Sequence, residues 1–173
     1  MLLITSACSS VLPTALDPPR DEPSEVAGPQ AVAATDWELL GQAVGVAEPA
    51  TIEVALDDEA LAELWNARFP DGPIPSTAIV DPVYVLFNLL VQSSCPDTTI
   101  DAIQADRAAR LVFGQFTRQP GRANCGDIAG DHTFVVAISR AALPEGHVTF
   151  RLERDFSLCI DCGRELEQVG VDL

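Results

Sequence analysis

The chain has 173 residues, of which 47% are hydrophobic, and carries 26 acidic against 10 basic residues for a formal net charge of −16. That length and hydrophobic content suit one domain with a real core plus a tail, and exclude a chain disordered throughout. The charge repels phosphate backbones and anionic headgroups, which excludes nucleic-acid binding and electrostatic membrane binding. Every basic residue is an arginine. Without lysine there is no Walker A phosphate loop and no Schiff-base chemistry.

The five cysteines, Cys8, Cys95, Cys125, Cys159 and Cys162, form an odd set. In an exported protein, an odd count gives one cysteine a separate fate. Cys8 is that one. It follows Met1-Leu2-Leu3-Ile4, and the segment Ile4-Thr5-Ser6-Ala7-Cys8 resembles a bacterial lipoprotein signal, with small residues directly before a cysteine that such proteins cleave and lipidate. Thr5 stands where the family prefers an aliphatic residue. The segment also lacks a basic n-region and a full-length apolar run, so the true start is expected upstream. The resemblance implies lipidation at Cys8 and an extracytoplasmic, lipid-anchored place in the bacterial envelope.

Residues 9–35 are acidic and free of aromatics, with Pro13, Pro18, Pro19, Pro23 and Pro29 among them. Such a stretch buries too little to offset its ordering entropy and reads as an extended tether. The folded domain is expected over residues 36–153, beginning near Trp37. Gln42–Ala47 and Thr51–Leu56 read as short strands. In the second, Ile52, Val54 and Leu56 alternate with polar or small residues. Asp57 or Asp58 then caps a helix whose Leu61, Leu64, Trp65 and Phe69 recur at helical spacing, and Pro70-Asp71-Gly72-Pro73 ends it. Trp65 is read as core.

Asp81 to Cys95 is the strongest signal. Val83 to Val91 is an almost unbroken apolar run that starts after Asp81-Pro82, as a strand covered on both faces would. Thr98–Ala105 and Ala109–Arg118 read as a hairpin, Thr133–Ser139 as a strand with Phe134, Val136 and Ile138 on one face, and His147–Glu153 as another strand after Leu143-Pro144-Glu145-Gly146. Residues 154–173 read as an extension holding a CxxC. The fold class expected is mainly β, sandwich-like with one helix, or α+β.

This order of elements, with Leu64-Trp65 in the helix, a Pro-led central strand and a Gln119-Pro120-Gly121 loop, resembles the PrcB-like domain of bacterial surface lipoproteins over roughly residues 43–152. The resemblance implies a β-rich, non-catalytic module with a protein partner, a protease in the family's namesake. Where that family carries a glycine-glycine-tyrosine loop, this chain has Gln92-Ser93-Ser94-Cys95-Pro96.

Cys95 and Cys125 bracket the hairpin region and are expected to pair. Closing a loop of about 30 residues stabilises by roughly 3–4 kcal/mol in the chain-entropy model. Cys159-Ile160-Asp161-Cys162 reads as a small structural disulfide, with a redox pair as the second reading and half a zinc site as the third. The carboxylate of Asp161 disfavours a thiolate, and zinc needs more ligands than the segment supplies. Asp127, Asp131 and His132 lie in a polar stretch from which a metal ion could be approached, although the spacing matches neither an EF-hand nor a zincin helix, and a solvated turn accounts for it. With two histidines and no GxSxG, a serine hydrolase lacks its parts. The sequence therefore points to a binding module with no catalysis or cofactor of its own, partnered by an envelope or surface protein and touching the membrane only through its lipid. A thiol–disulfide protein and a metal-dependent envelope protein are the rivals.

Overall fold

A computed structural model describes residues 28–46, 49–91, 98–118, 130–153 and 166–173. The elements in chain order are β1 (Gln30–Ala31), β2 (Trp37–Val46), β3 (Thr51–Ala55), α1 (Asp58–Arg68), β4 (Pro82–Val91), β5 (Thr98–Asp106), β6 (Leu111–Arg118), β7 (Gly130–Ser139), a single 3-10 turn (Arg140–Ala142), β8 (His147–Glu153) and β9 (Leu166–Asp172). They make two sheets, ordered β1-β5-β6-β8-β9 and β2-β7-β4-β3. All described pairings are antiparallel except β6 with β8. The protein is thus mainly β, and the described residues form a two-sheet sandwich with one helix laid on the outer face of the four-stranded sheet.

β4 and β7 are the centre of that sheet. Their residues pair without interruption from Pro82 opposite Ser139 to Val91 opposite Gly130. Residues directly opposite on antiparallel strands share a face, and successive residues alternate faces. Val83, Val85 and Phe87 therefore point with Val136 and Ile138 into the space between the sheets, where Ile103, Val112, Val148, Phe150 and Leu152 meet them. Phe116 reaches across from β6 to lie 5.6 Å from the Phe87 ring and 5.4 Å from Phe134, centroid to centroid. The other face of the same two strands, Tyr84, Leu86, Val135 and Ala137, packs under Leu61, Leu64 and Trp65 of α1. Cover on both faces is why β4 reads as an unbroken apolar run.

Helix α1 starts where the sequence places it. The Asp57 side chain accepts from Ala60 N at 2.8 Å, Asp58 and Glu59 occupy the first turn and Arg68 the last, matching the macrodipole. Phe69 ends the helix and stacks on Trp65 with centroids 4.2 Å apart. The outer rim of the Trp65 indole in turn comes up against Gly41 of β2, leaving no room there for a Cβ.

Three features differ from the sequence reading. β7 is read from the sequence only for the face of Phe134, Val136 and Ile138, but it is covered on both faces, because α1 lies over Val135 and Ala137. The sheet starts earlier than expected: Gln30 and Ala31, within the stretch read as tether, pair with Ala105 and Gln104, and Val32 is buried. Leu166–Asp172, read only as an extension, forms β9 and pairs along the whole of β8.

The strand directions give the sandwich two unlike ends. One end holds the tight β5–β6 turn, Asp81, the 3-10 turn and the loop into β8. There Arg107 donates to the carbonyls of Ala141, Ala142 and Leu143 at 3.1–3.4 Å, and Arg140 pairs with the Asp81 carboxylate at 3.1 Å. Asp81 and Arg110 adopt positive φ here, 49° and 51°. The connections at the other end run from Val46 to Thr51, Val91 to Thr98, Arg118 to Gly130 and Glu153 to Leu166.

Candidate functional site

All five cysteines lie outside the described residues, so neither the Cys95–Cys125 pairing nor the state of Cys159 and Cys162 is seen directly. The strand ends around them are seen. Val91 sits opposite Gly130, so the chain leaving toward Cys95 and the chain returning from Cys125 do so side by side. Glu153 sits opposite Leu166, so the CxxC belongs to a connection between antiparallel neighbours. A thioredoxin-type pair sits after a strand at a helix N-terminus in a βαβ unit, which is a different setting. The three connections that carry Cys95, Cys125, Cys159 and Cys162 all leave from one end of the sandwich.

The structure separates the metal-ligand candidates. Asp127 is outside the described residues. Asp131 and His132 are not in a turn but are the second and third residues of β7. Consecutive strand residues point to opposite faces. Asp131 lies on the helix-side face against Gly45, where an added Cβ would come within 2.5 Å of its Oδ1. His132 falls on the core-facing side, with Val44 and Leu89 opposite it on the neighbouring strands. Both are buried, at 5% and 2% exposure. The two side chains do not converge on one ion, and among the described residues no group of three His, Cys, Asp or Glu is placed to hold a metal. No helix among the described residues is long and apolar enough to cross a membrane.

The helix-side face of the β4–β7 sheet changes character beyond α1. Thr51, Asn88 and Thr133 stand in one row across β3, β4 and β7. The Thr133 hydroxyl donates to Asn88 Oδ1 at 3.0 Å and Asn88 Nδ2 donates to the Pro49 carbonyl at 3.2 Å. This explains a fully buried asparagine in an apolar strand: its amide ties the chain entering β3 to the sheet. Tyr84 is a titratable group whose environment shifts it clearly. Burial, then the hydrogen bond its hydroxyl donates to Asp58 at 2.6 Å and the charge of that carboxylate, push its pKa up to about 12. Both partners serve to dock α1 on the sheet.

Two surfaces remain. At the arginine-rich end, a cleft of about 610 Å³ opens between residues 28–33, Ala105 to Ala108 and the 3-10 turn. Half of its lining residues are alanines, and Gln30, Asp36, Arg107 and Ser139 are the polar ones. The second surface is β2. It is ten residues long, it pairs with β7 on one side, and no described strand pairs with its other side. A bulge at Leu40 shifts the register between Leu39 and Gly41. Leu39 stands opposite Val136 and Val44 opposite His132, so both belong to the core-facing side, yet they are 40% and 50% exposed. The opposing sheet ends on this flank in the two-residue β1, too short to cover them. Sequence reading stops short of this site because Gln42-Ala43-Val44-Gly45-Val46 carries no signal for whether a strand is central or at an edge.

Scans against protein-family models, curated proteins and solved structures return no match to this chain.

Proposed function

We propose that the chain is a lipid-anchored, extracytoplasmic binding module of the bacterial envelope, without catalysis of its own, that holds a protein partner at a sheet edge. The observation that carries this reading is β2: a long edge strand with core-type side chains left uncovered is a ready template for strand addition. The anchor rests on the segment Ile4 to Cys8, and the oxidising compartment on the even set of four later cysteines. The side-by-side departure of the chains leading to Cys95 and Cys125 favours their pairing. The antiparallel setting of the CxxC favours a structural role over redox exchange.

The test is fractionation and acyl labelling of wild type and Cys8→Ser expressed from the native locus, followed by affinity capture from envelope extract with the full chain. A labelled, membrane-bound wild type, a soluble Cys8→Ser and a partner captured by both are expected. Equal partitioning of the two would sink the anchor, and four reduced thiols at Cys95, Cys125, Cys159 and Cys162 in protein from the native host would sink the compartment.

A further inference from the structure

The β2 edge also says what kind of segment fits it, and this inference rests on the binding reading above. We infer that β2 takes an extended segment of a partner protein in which apolar residues alternate and basic residues flank the pairing run. The bulge at Leu40 divides the edge, and the regular stretch Gly41–Val46 is where a strand can add in register. A strand laid there places alternate side chains on the core-facing side, beside Val44 at the uncovered margin of the sandwich. The remaining alternate residues face the helix side, where Gly41, Ala43 and Gly45 leave only small side chains.

Charge selects the partner. β2 carries one ionisable residue, Glu38, and its carboxylate already accepts from the Thr77 hydroxyl at 2.8 Å. The pairing stretch Gly41–Val46 itself carries no ionisable residue, on a molecule of net charge −16. A second copy brings the same −16 to the same stretch and is repelled, whereas a segment with arginine or lysine at its ends is drawn to the surrounding field. The attraction is screened over about 10 Å at 0.1 M salt.

The experiment titrates the full chain with a blocked peptide of alternating threonine and valine carrying arginine at both ends. Two companions have glutamate at the ends or proline in place of the central valines. Backbone amide shifts of Gly41–Val46 report the site. Expected are shifts confined to β2 and its neighbours, binding at least about tenfold tighter for the arginine peptide than for the glutamate peptide at low salt, and loss of that preference at high salt. The proline peptide is expected not to bind, since it lacks the ladder donors. Val44→Lys should abolish binding, and Val80→Lys, the same change at an exposed apolar residue off the strand, should leave it intact. Equal binding of the proline peptide, shifts elsewhere, or indifference to Val44→Lys would overturn the proposal. So would a dimer in sedimentation that Val44→Lys dissolves, because the occupant would then be a second copy. If the envelope partner is captured by wild type and not by Val44→Lys while the arginine peptide binds no better than the glutamate peptide, this inference fails and the binding reading stands. If wild type captures nothing, the binding reading fails.

Discussion

Gly41 is where the helix layer meets the sheet most closely, and adding one methyl group there tests that layer directly. A Cβ built on Gly41 would lie 2.5 Å from Trp65 Cη2 and 3.0 Å from Cζ3, well inside contact distance. The indole has little room to yield, since Trp65 is 6% exposed and stacked on Phe69. Overpacking of this kind costs about 1–3 kcal/mol. Replacing glycine by alanine also restricts the unfolded chain, a gain of roughly 0.4–1 kcal/mol where the backbone permits it. The clash is the larger effect, so Gly41→Ala should destabilise by about 1–2 kcal/mol in urea unfolding with an unchanged m-value. In a Trp65→Phe background the outer ring is gone, and the same substitution should become neutral or mildly stabilising. The resulting coupling of about 1–2 kcal/mol is the signature of direct contact. A Gly41→Ala that stabilises the wild type, or two substitutions that simply add, would refute the packing of α1 over the β2 bulge.

Three further outcomes follow from named contacts. The Tyr84 pKa is raised in the folded state, so its contribution is fully present below the unfolded value near 10 and is lost as pH rises through about 12. Thermal melts of wild type should fall across that alkaline window by the equivalent of roughly 2 kcal/mol, and Tyr84→Phe should flatten the decline. Thr133→Val removes the donor to the buried Asn88 amide and should cost about 1–2 kcal/mol, whereas Asn88→Ala, which also strips the Pro49 carbonyl of its donor and leaves a void, should cost about 2–4 kcal/mol. Arg107→Lys should destabilise nearly as much as Arg107→Ala, by about 1 kcal/mol, because an ammonium cannot reach three carbonyls with one planar fork; full rescue by lysine in denaturant melts would contradict that.

How far the sequence reached depends on how many faces of each segment are covered. Val83 to Phe87 is buried on both sides, and composition alone reveals it. β3 alternates because Glu53 is left at the surface beside Arg68 while Ile52 and Val54 face the core. The helix start is legible because Asp57 makes a local contact with the backbone three residues on. What is not legible comes from distant chain. β1 is two residues long and joins the sheet only because the edge of β5 is open near Ala105. β9 contains Gly170, which argues against a strand, and the exposed His147 ring lies where its Cβ would be. The parallel β6–β8 pairing has no local sign, because β7 intervenes in the chain but lies in the other sheet. Asp131 and His132 look like loop ligands until the strand is known to begin at Gly130, after which alternation alone parts them.

The place where Gly28 enters has a mechanical consequence. The chain joins the sandwich beside Arg107, through a strand held to β5 by two residue pairs. Any pull transmitted along the preceding segment is borne first by β1, which will peel away before the long β4–β7 seam feels the load. Peeling uncovers Val32, while the opposite end of the sandwich, where β4 pairs with β7 at Val91 and Gly130, stays unloaded. A domain pulled in this manner can give a little at β1 without opening its core.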